Sequence, residues 1–220
     1  MKNTQKTLGE LATVLPAAAE VLRRYRLDYC WAGTRSLGDA CAAEDLDAEA
    51  VLRDIEAAGA GDADAVRWDR RPLDELVRHI VSHYHTRLRE KLPRLVDLAY
   101  RVERAHADAP ELHGELADLL VEIEAAVESH LAKEEQILFP LIVAGRGPIA
   151  HMPVQVMMQE HEDHGRNLRR VREITHDLAP PQRACESWRE LYRALGALEA
   201  ELMDHIHLEN NILFPRALAG

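Results

Sequence analysis

Two stretches of this sequence carry the same chemistry. Residues 130–140 read HLAKEEQILFP and residues 205–215 read HIHLENNILFP. Each sets a histidine four positions before a glutamate and closes on Ile-Leu-Phe-Pro. Residues four apart on a helix differ by about 40° around the axis and about 6 Å along it, so imidazole and carboxylate reach one point beside the helix. A further histidine precedes each stretch at nearly the same interval. His85 lies 45 residues before His130, and His161 lies 44 residues before His205. The pattern predicts two helical hairpins, each with a histidine on its first helix and His-x-x-x-Glu on its second, packed about an approximate two-fold axis.

The repeat also sorts the 12 histidines. With the halves superposed, His79, His83, His164 and His207 fall opposite Gln155, Gln159, Leu88 and Ala132. Only His85/His161 and His130/His205 are histidine in both halves. Glu134 matches Glu209, whereas its neighbour Glu135 matches Asn210. Six residues remain: His85, His130, Glu134, His161, His205 and Glu209. Four neutral nitrogens and two carboxylates able to bridge leave open positions on two ions. That donor set inside a helical bundle suits paired iron or manganese. Unmetallated, it is costly to bury. Glu160, beside His161, is a candidate proton relay, and His106 in RVERAHADAP is a candidate for a role near the metals. Tyr84 and the Ile-Leu-Phe runs read as packing. His79, His83, His151, His164, His176 and His207 read as surface residues or residues behind the ligands.

The elements that must position these residues are helical. Residues 1–58 read as a small separate unit. A helix from about Thr7 has apolar residues at Leu11, Val14, Leu15, Ala18 and Leu22, Ser36 is an N-cap, and Asp47 caps a helix carrying Val51, Leu52 and Ile55. The stretch 57–66 is small, polar and glycine-bearing, and the linker is placed at 59–71. Residues 72–220 hold four long helical patterns. These run from about Pro72 to Ala105 with a kink expected at Pro93, Leu112 to Leu138 stopping near Pro140, Pro153 to Asp177, and Pro181 to Leu213. The fold class predicted is all-α: a small N-terminal helical domain followed by a four-helix bundle.

Composition excludes other classes. Asp plus Glu number 38 against 27 Lys plus Arg, a net charge of −11, which argues against nucleic acid and anionic membrane surfaces. Aromatics are 5% of the chain, and no strand alternation stands out. No apolar run approaches the length of a membrane span, no signal core is present, and three scattered cysteines do not form a disulfide framework. A cytoplasmic protein is expected. Cys41 and Cys185 are expected to be packing residues.

The stretches LGELATVLPAAAEVLRRYRLDYC, YHTRLREKLPRL, HLAKEEQILFPLI, MMQEHEDHG and LMDHIHLENNILFPRALAG together resemble the hemerythrin-like di-iron proteins. More narrowly, they resemble the Repair of Iron Centres family, over nearly the full length. The resemblance places the family's di-iron ligands on His85, His130, Glu134, His161, His205 and Glu209. It implies two non-haem irons per chain, bridged by the glutamates and usually an oxo group, in a cytoplasmic, stress-responsive protein that is a homodimer. The implied function is repair of iron–sulfur clusters damaged by nitric oxide or oxidants, with the iron pair as an iron source. Damaged iron–sulfur proteins or a cluster scaffold are then the partners. One departure stands out: the family's DYCCGG-like turn reads DYCWAG here, keeping Cys30 and placing Trp31 at the second cysteine position. Cys30 remains a candidate reactive thiol near a helix start. Two other functions share the ligands: an oxygen or nitric oxide carrier or sensor, and an enzyme reducing nitric oxide at the diferrous pair. The hemerythrin oxygen site has five histidines against four here, and no output domain is visible.

Overall fold

The computed structural model describes residues 4–31, 33–60, 66–109 and 114–220. Among them the secondary structure is helical, apart from a single bridge between Thr7 and Ser36. Residues 61–65 of the expected linker, Leu112 at the expected start of the second long helix, and Ala32 of the DYCWAG turn lie outside the described residues. No helix is long and apolar enough to cross a membrane among the described residues.

The chain packs as two compact units. One comprises Met1–Arg78, Leu141–His151 and Met203–Gly220, and the other His79–Pro140 and Met152–Leu202. In the first, α1 (Leu8–Val14) opens on a capping box: Thr7 Oγ1 accepts from Glu10 N, and the Glu10 carboxylate accepts from Thr7 N. The single helix expected from Thr7 is two, because Pro16 has no N–H for the Ala12 carbonyl. The chain restarts as α2 (Ala18–Arg24). Ser36 caps α3 (Leu37–Ala43) by accepting from Asp39 N at 3.0 Å. Asp47 accepts from Glu49 N at 3.0 Å at the start of α4 (Ala48–Ala60). Leu8, Leu11, Leu22, Leu37 and Ile55 are buried.

The second unit holds the greater part of four long helical runs, whose ends over residues 73–78, 141–143 and 203–219 belong to the first. Helix α5 (Leu73–His79) passes through a π turn, Ile80–His85, into α6 (Thr86–Ala105). Pro93 does not end α6; it sits on the exposed face, where water can meet the carbonyl it strands. Helix α7 (Leu116–Lys133) passes through a π turn, Glu134–Leu138, into α8 (Phe139–Val143), so the helical path outlasts Pro140. The wider turn moves the preceding carbonyls away from the proline ring. Helix α9 (His151–Ile174) ends where Thr175 Oγ1 accepts from Leu178 N, ahead of three left-handed residues, His176, Asp177 and Leu178. Helix α10 (Glu186–His207) continues through a π turn, Leu208–Leu213, into α11 (Phe214–Ala219).

Ion pairs close a ring around the bundle: Arg89–Glu128 from α6 to α7, Lys133–Glu160 from α7 to α9, Arg172–Glu199 from α9 to α10, and Lys91–Glu201 from α10 back to α6. Such partly exposed pairs add about 0–1 kcal/mol each, so they mark adjacency more than strength. The cohesion is apolar, from side chains such as Leu88, Leu92, Leu120, Ile123, Leu168, Trp188 and Leu195, at about 1.5–3 kcal/mol per large side chain buried.

Candidate metal centre

All six repeat-selected residues are buried: His85, Glu134, His161, His205 and Glu209 at 0% exposure and His130 at 2%. Within the bundle, α7 brings His130 and Glu134 to one side, as the four-residue spacing requires. His130 Nε2 lies 3.4 Å from Glu134 Oε2. The same oxygen is 3.5 Å from His85 Nε2, so Glu134 stands between two imidazoles from different helical segments. His161 Nε2 comes to 3.1 Å from His130 Nε2. Ligand atoms of His130, Glu134 and His161 all lie within 4.8 Å of one another. In the other unit, His205 Nε2 is 3.0 Å from Glu209 Oε1, the same i,i+4 pairing.

These spacings fit metal ligation. Two donors about 2.1 Å from one ion sit about 3.0 Å apart at a right angle and about 3.4 Å apart at a tetrahedral angle. The observed separations span 3.0 to 3.5 Å. The donors are nitrogen and carboxylate oxygen without thiolate, the set that suits iron or manganese. Each of the three π turns holds one or more of these residues: His85 ends the first, Glu134 begins the second, and Glu209 lies in the third. An extra residue in a helical turn re-aims the side chains around it, and such turns concentrate at functional sites.

Two further carboxylates hold the imidazoles. Glu135 Oε1 lies 2.7 Å from His85 Nδ1 and accepts from Arg89 Nη1 at 2.7 Å. Burial alone would raise the Glu135 carboxyl, but its bonds to Arg89 and His85 outweigh this and hold it below its ordinary value. Glu160 Oε2 lies 3.0 Å from His130 Nδ1, with its other oxygen on Lys133. A carboxylate accepts only, so Nδ1–H faces it and the Nε2 lone pair is left for the interior. The repeat comparison set Glu135 aside because the other half has Asn210 there. Its position one residue after a candidate ligand, with Arg89 available, was the remaining signal.

Other expectations need correcting. His106 follows the last residue of α6, about 30 Å along that helix from His85, too far for a role near the metals. Its Nε2 is 3.2 Å from Cys185 Sγ, and its ring packs against Trp188. Cys185 is exposed, not a packing residue, whereas Cys41 is buried as expected. Ile137 is 54% exposed, while Leu138, Phe139, Ile212, Leu213 and Phe214 are buried. Phe139 stacks on His85 with ring centroids 5.6 Å apart. His164 and His207 are buried too, His164 edge-on to His130. Burial lowers the His207 pKa to about 4, which keeps it neutral. Cys30 lies in a buried loop, not at a helix start; burial and neighbouring Asp28 push its thiol well above the ordinary value. A thiol so placed stays protonated and is a poor nucleophile.

A family model described as the Hemerythrin HHE cation binding domain matches residues 76–217, and one described as Domain of Unknown function (DUF542) matches residues 4–59. The iron-sulfur cluster repair protein YtfE of Pectobacterium carotovorum subsp. carotovorum (strain PC1) is 41% identical over 220 residues, the whole of both chains. The proteins of the same name from Citrobacter koseri and Escherichia coli (strain K12 / DH10B) are each 42% identical, again over the whole of both chains. The chain belongs to the hemerythrin family, among its iron–sulfur cluster repair proteins.

Proposed function

We propose that this chain restores iron–sulfur clusters damaged by oxidative or nitrosative stress, using two non-haem irons held by His85, His130, Glu134, His161, His205 and Glu209. The observation that carries the reading is end-to-end likeness to proteins named for cluster repair, in a chain whose six repeated His and Glu residues are all buried. When bound, the iron pair supplies one-electron exchange, open positions for small molecules such as nitric oxide or oxygen, and iron for a depleted cluster. The chain's own residues set the terms. Glu134, between His85 and His130, would help hold the irons through its carboxylate, and Glu209 would take the matching role. Glu135 and Glu160 keep two imidazoles in the tautomer that ligates. The absence of thiolate from the six leaves a harder, more labile set. The reading carries with it a metal domain over 72–220, an N-terminal domain over 1–58 with a linker at 59–71, a cytoplasmic setting, self-association as a homodimer, and damaged cluster proteins or a scaffold as partners.

The test has two arms. Untagged protein is analysed for metal, with two irons per chain expected. Reduced, iron-loaded protein is then added to an iron–sulfur dehydratase inactivated by nitric oxide, and recovered activity is followed. The parent restores activity and the Glu134→Leu/Glu209→Leu double variant does not. Equal recovery with both overturns the reading.

A further inference from the structure

Residues on either side of His205 and Glu209 are gripped by the turn that follows α2. Asp204, next to His205, accepts through one carboxylate oxygen from Arg23 Nη1 at 2.5 Å and from Tyr29 Oη at 2.6 Å. Asn210, next to Glu209, donates from Nδ2 to the Cys30 carbonyl at 3.2 Å. The Asn211 amide donates to the Tyr29 carbonyl at 3.0 Å and to His207 Nδ1 at 2.9 Å, which uses both of its hydrogens. The Tyr29 ring, wholly buried, meets the His207 ring edge-on at 5.5 Å. The backbone is shaped around this amide. A Cβ on Gly9 would stand 2.3 Å from Asn211 Oδ1, and one on Gly33 would stand 2.5 Å from the Tyr29 carbonyl oxygen and 3.2 Å from Asn211 Oδ1. Gly9 N donates to the Gly33 carbonyl at 3.0 Å, closing the cradle.

The gripped segment departs from α geometry. Leu208–Leu213 is a π turn, with one residue more than an α turn. If it relaxed to α, residues beyond the change would rotate by about 100° relative to those before it. Side-chain contacts from Asp204 before it and from Asn210 and Asn211 within it fix its register, and with it the direction of Glu209 relative to His205.

We propose that Tyr29, Cys30 (through its carbonyl) and Asn211 are positioning residues for the His205/Glu209 part of the metal site, so that docking of the N-terminal segment and retention of iron form one coupled equilibrium. This rests on the assignment of His205 and Glu209 as ligands. The coupling is reciprocal: metal tightens the N-terminal turn as much as the turn tightens the metal. Cys30 serves here through its backbone, a role that needs neither a reactive thiol nor a second cysteine at position 31.

The experiment uses the full chain loaded anaerobically with Fe(II). Iron release to a chelator is timed for the parent, Asn211→Ala, Gly9→Ala, their double variant, and Leu120→Ala as a core-destabilised control in the other unit. Amide exchange across residues 27–31 is followed with and without metal. Asn211→Ala and Gly9→Ala are expected to release iron about tenfold faster, within the usual range of coupling between sites. The double variant should be no faster than Asn211→Ala alone, because removing the amide makes room for the new Cβ. Leu120→Ala should lose thermal stability yet release iron within about twofold of the parent, and metal should slow exchange at 27–31. Unchanged release in both single variants, or identical exchange with and without metal, overturns the coupling while leaving the ligand assignment standing. A parent chain that takes up no metal overturns both.

Discussion

Replacing Glu135 by Leu probes whether the carboxylates behind the imidazoles tune the site. His85 is wholly buried, and Glu135 Oε1 lies 2.7 Å from its Nδ1. Removing this acceptor costs the penalty of a buried donor that loses its partner, about 1–3 kcal/mol. At about 1.4 kcal/mol per tenfold, that is a loss of about 5- to 150-fold in affinity for the first metal held through His85. Measured effects of such supporting groups on metal affinity, about 10- to 100-fold, fall in the same range. The Arg89–Glu135 ion pair adds little, since its side chains are 34% and 29% exposed and Arg89 keeps Glu128 at 2.8 Å. Glu128→Ala is therefore the matched control, because it removes a charge from the same arginine without touching His85. Chelator competition, monitored by the iron pair's absorbance, compares the three proteins. Glu135→Leu should weaken iron binding by about 10- to 100-fold and Glu128→Ala by less than about threefold. Glu135→Leu within threefold of the parent, or the two variants equally impaired, would refute the reasoning.

Two further outcomes follow from burial. In metal-free protein, Glu134→Leu/Glu209→Leu removes two fully buried carboxylates, so the metal-free variant should melt above the metal-free parent, and the iron-loaded parent above both, by scanning calorimetry. Among the three thiols, Cys185 should react first with a disulfide reagent in native protein. Cys30 and Cys41 should respond only on unfolding, Cys30 remaining silent even at pH 8 because its thiol is pushed well above the ordinary value.

The all-α class and the six buried candidate ligands were legible because their patterns recur along the chain. Apolar residues at helical spacing set the helices, and His-x-x-x-Glu written twice with a matching upstream histidine separates six residues from the rest. Ser36 and Asp47 were readable as caps because capping is local chemistry between residues two or three apart. The π turns were not readable. One extra residue in a helical turn has no composition of its own, and it persists where side chains from elsewhere hold it. His106 was misplaced although the helix expected to run to Ala105 already sets it about 30 Å from His85 at about 1.5 Å per residue.

The sequence by itself determined which residues are candidates to ligate, since donor type and interval are properties of the chain. Tertiary structure decided what surrounds them. Glu135 and Glu160 became supports for His85 and His130 because α6, α7 and α9 pack side by side. Cys30, a candidate reactive thiol in a reading of the turn alone, became a buried residue with a thiol pushed well above its ordinary value and a carbonyl that meets Asn210. The physical reason is that a pKa and a hydrogen-bond partner depend on desolvation and on neighbours far away in sequence, and only packing supplies either.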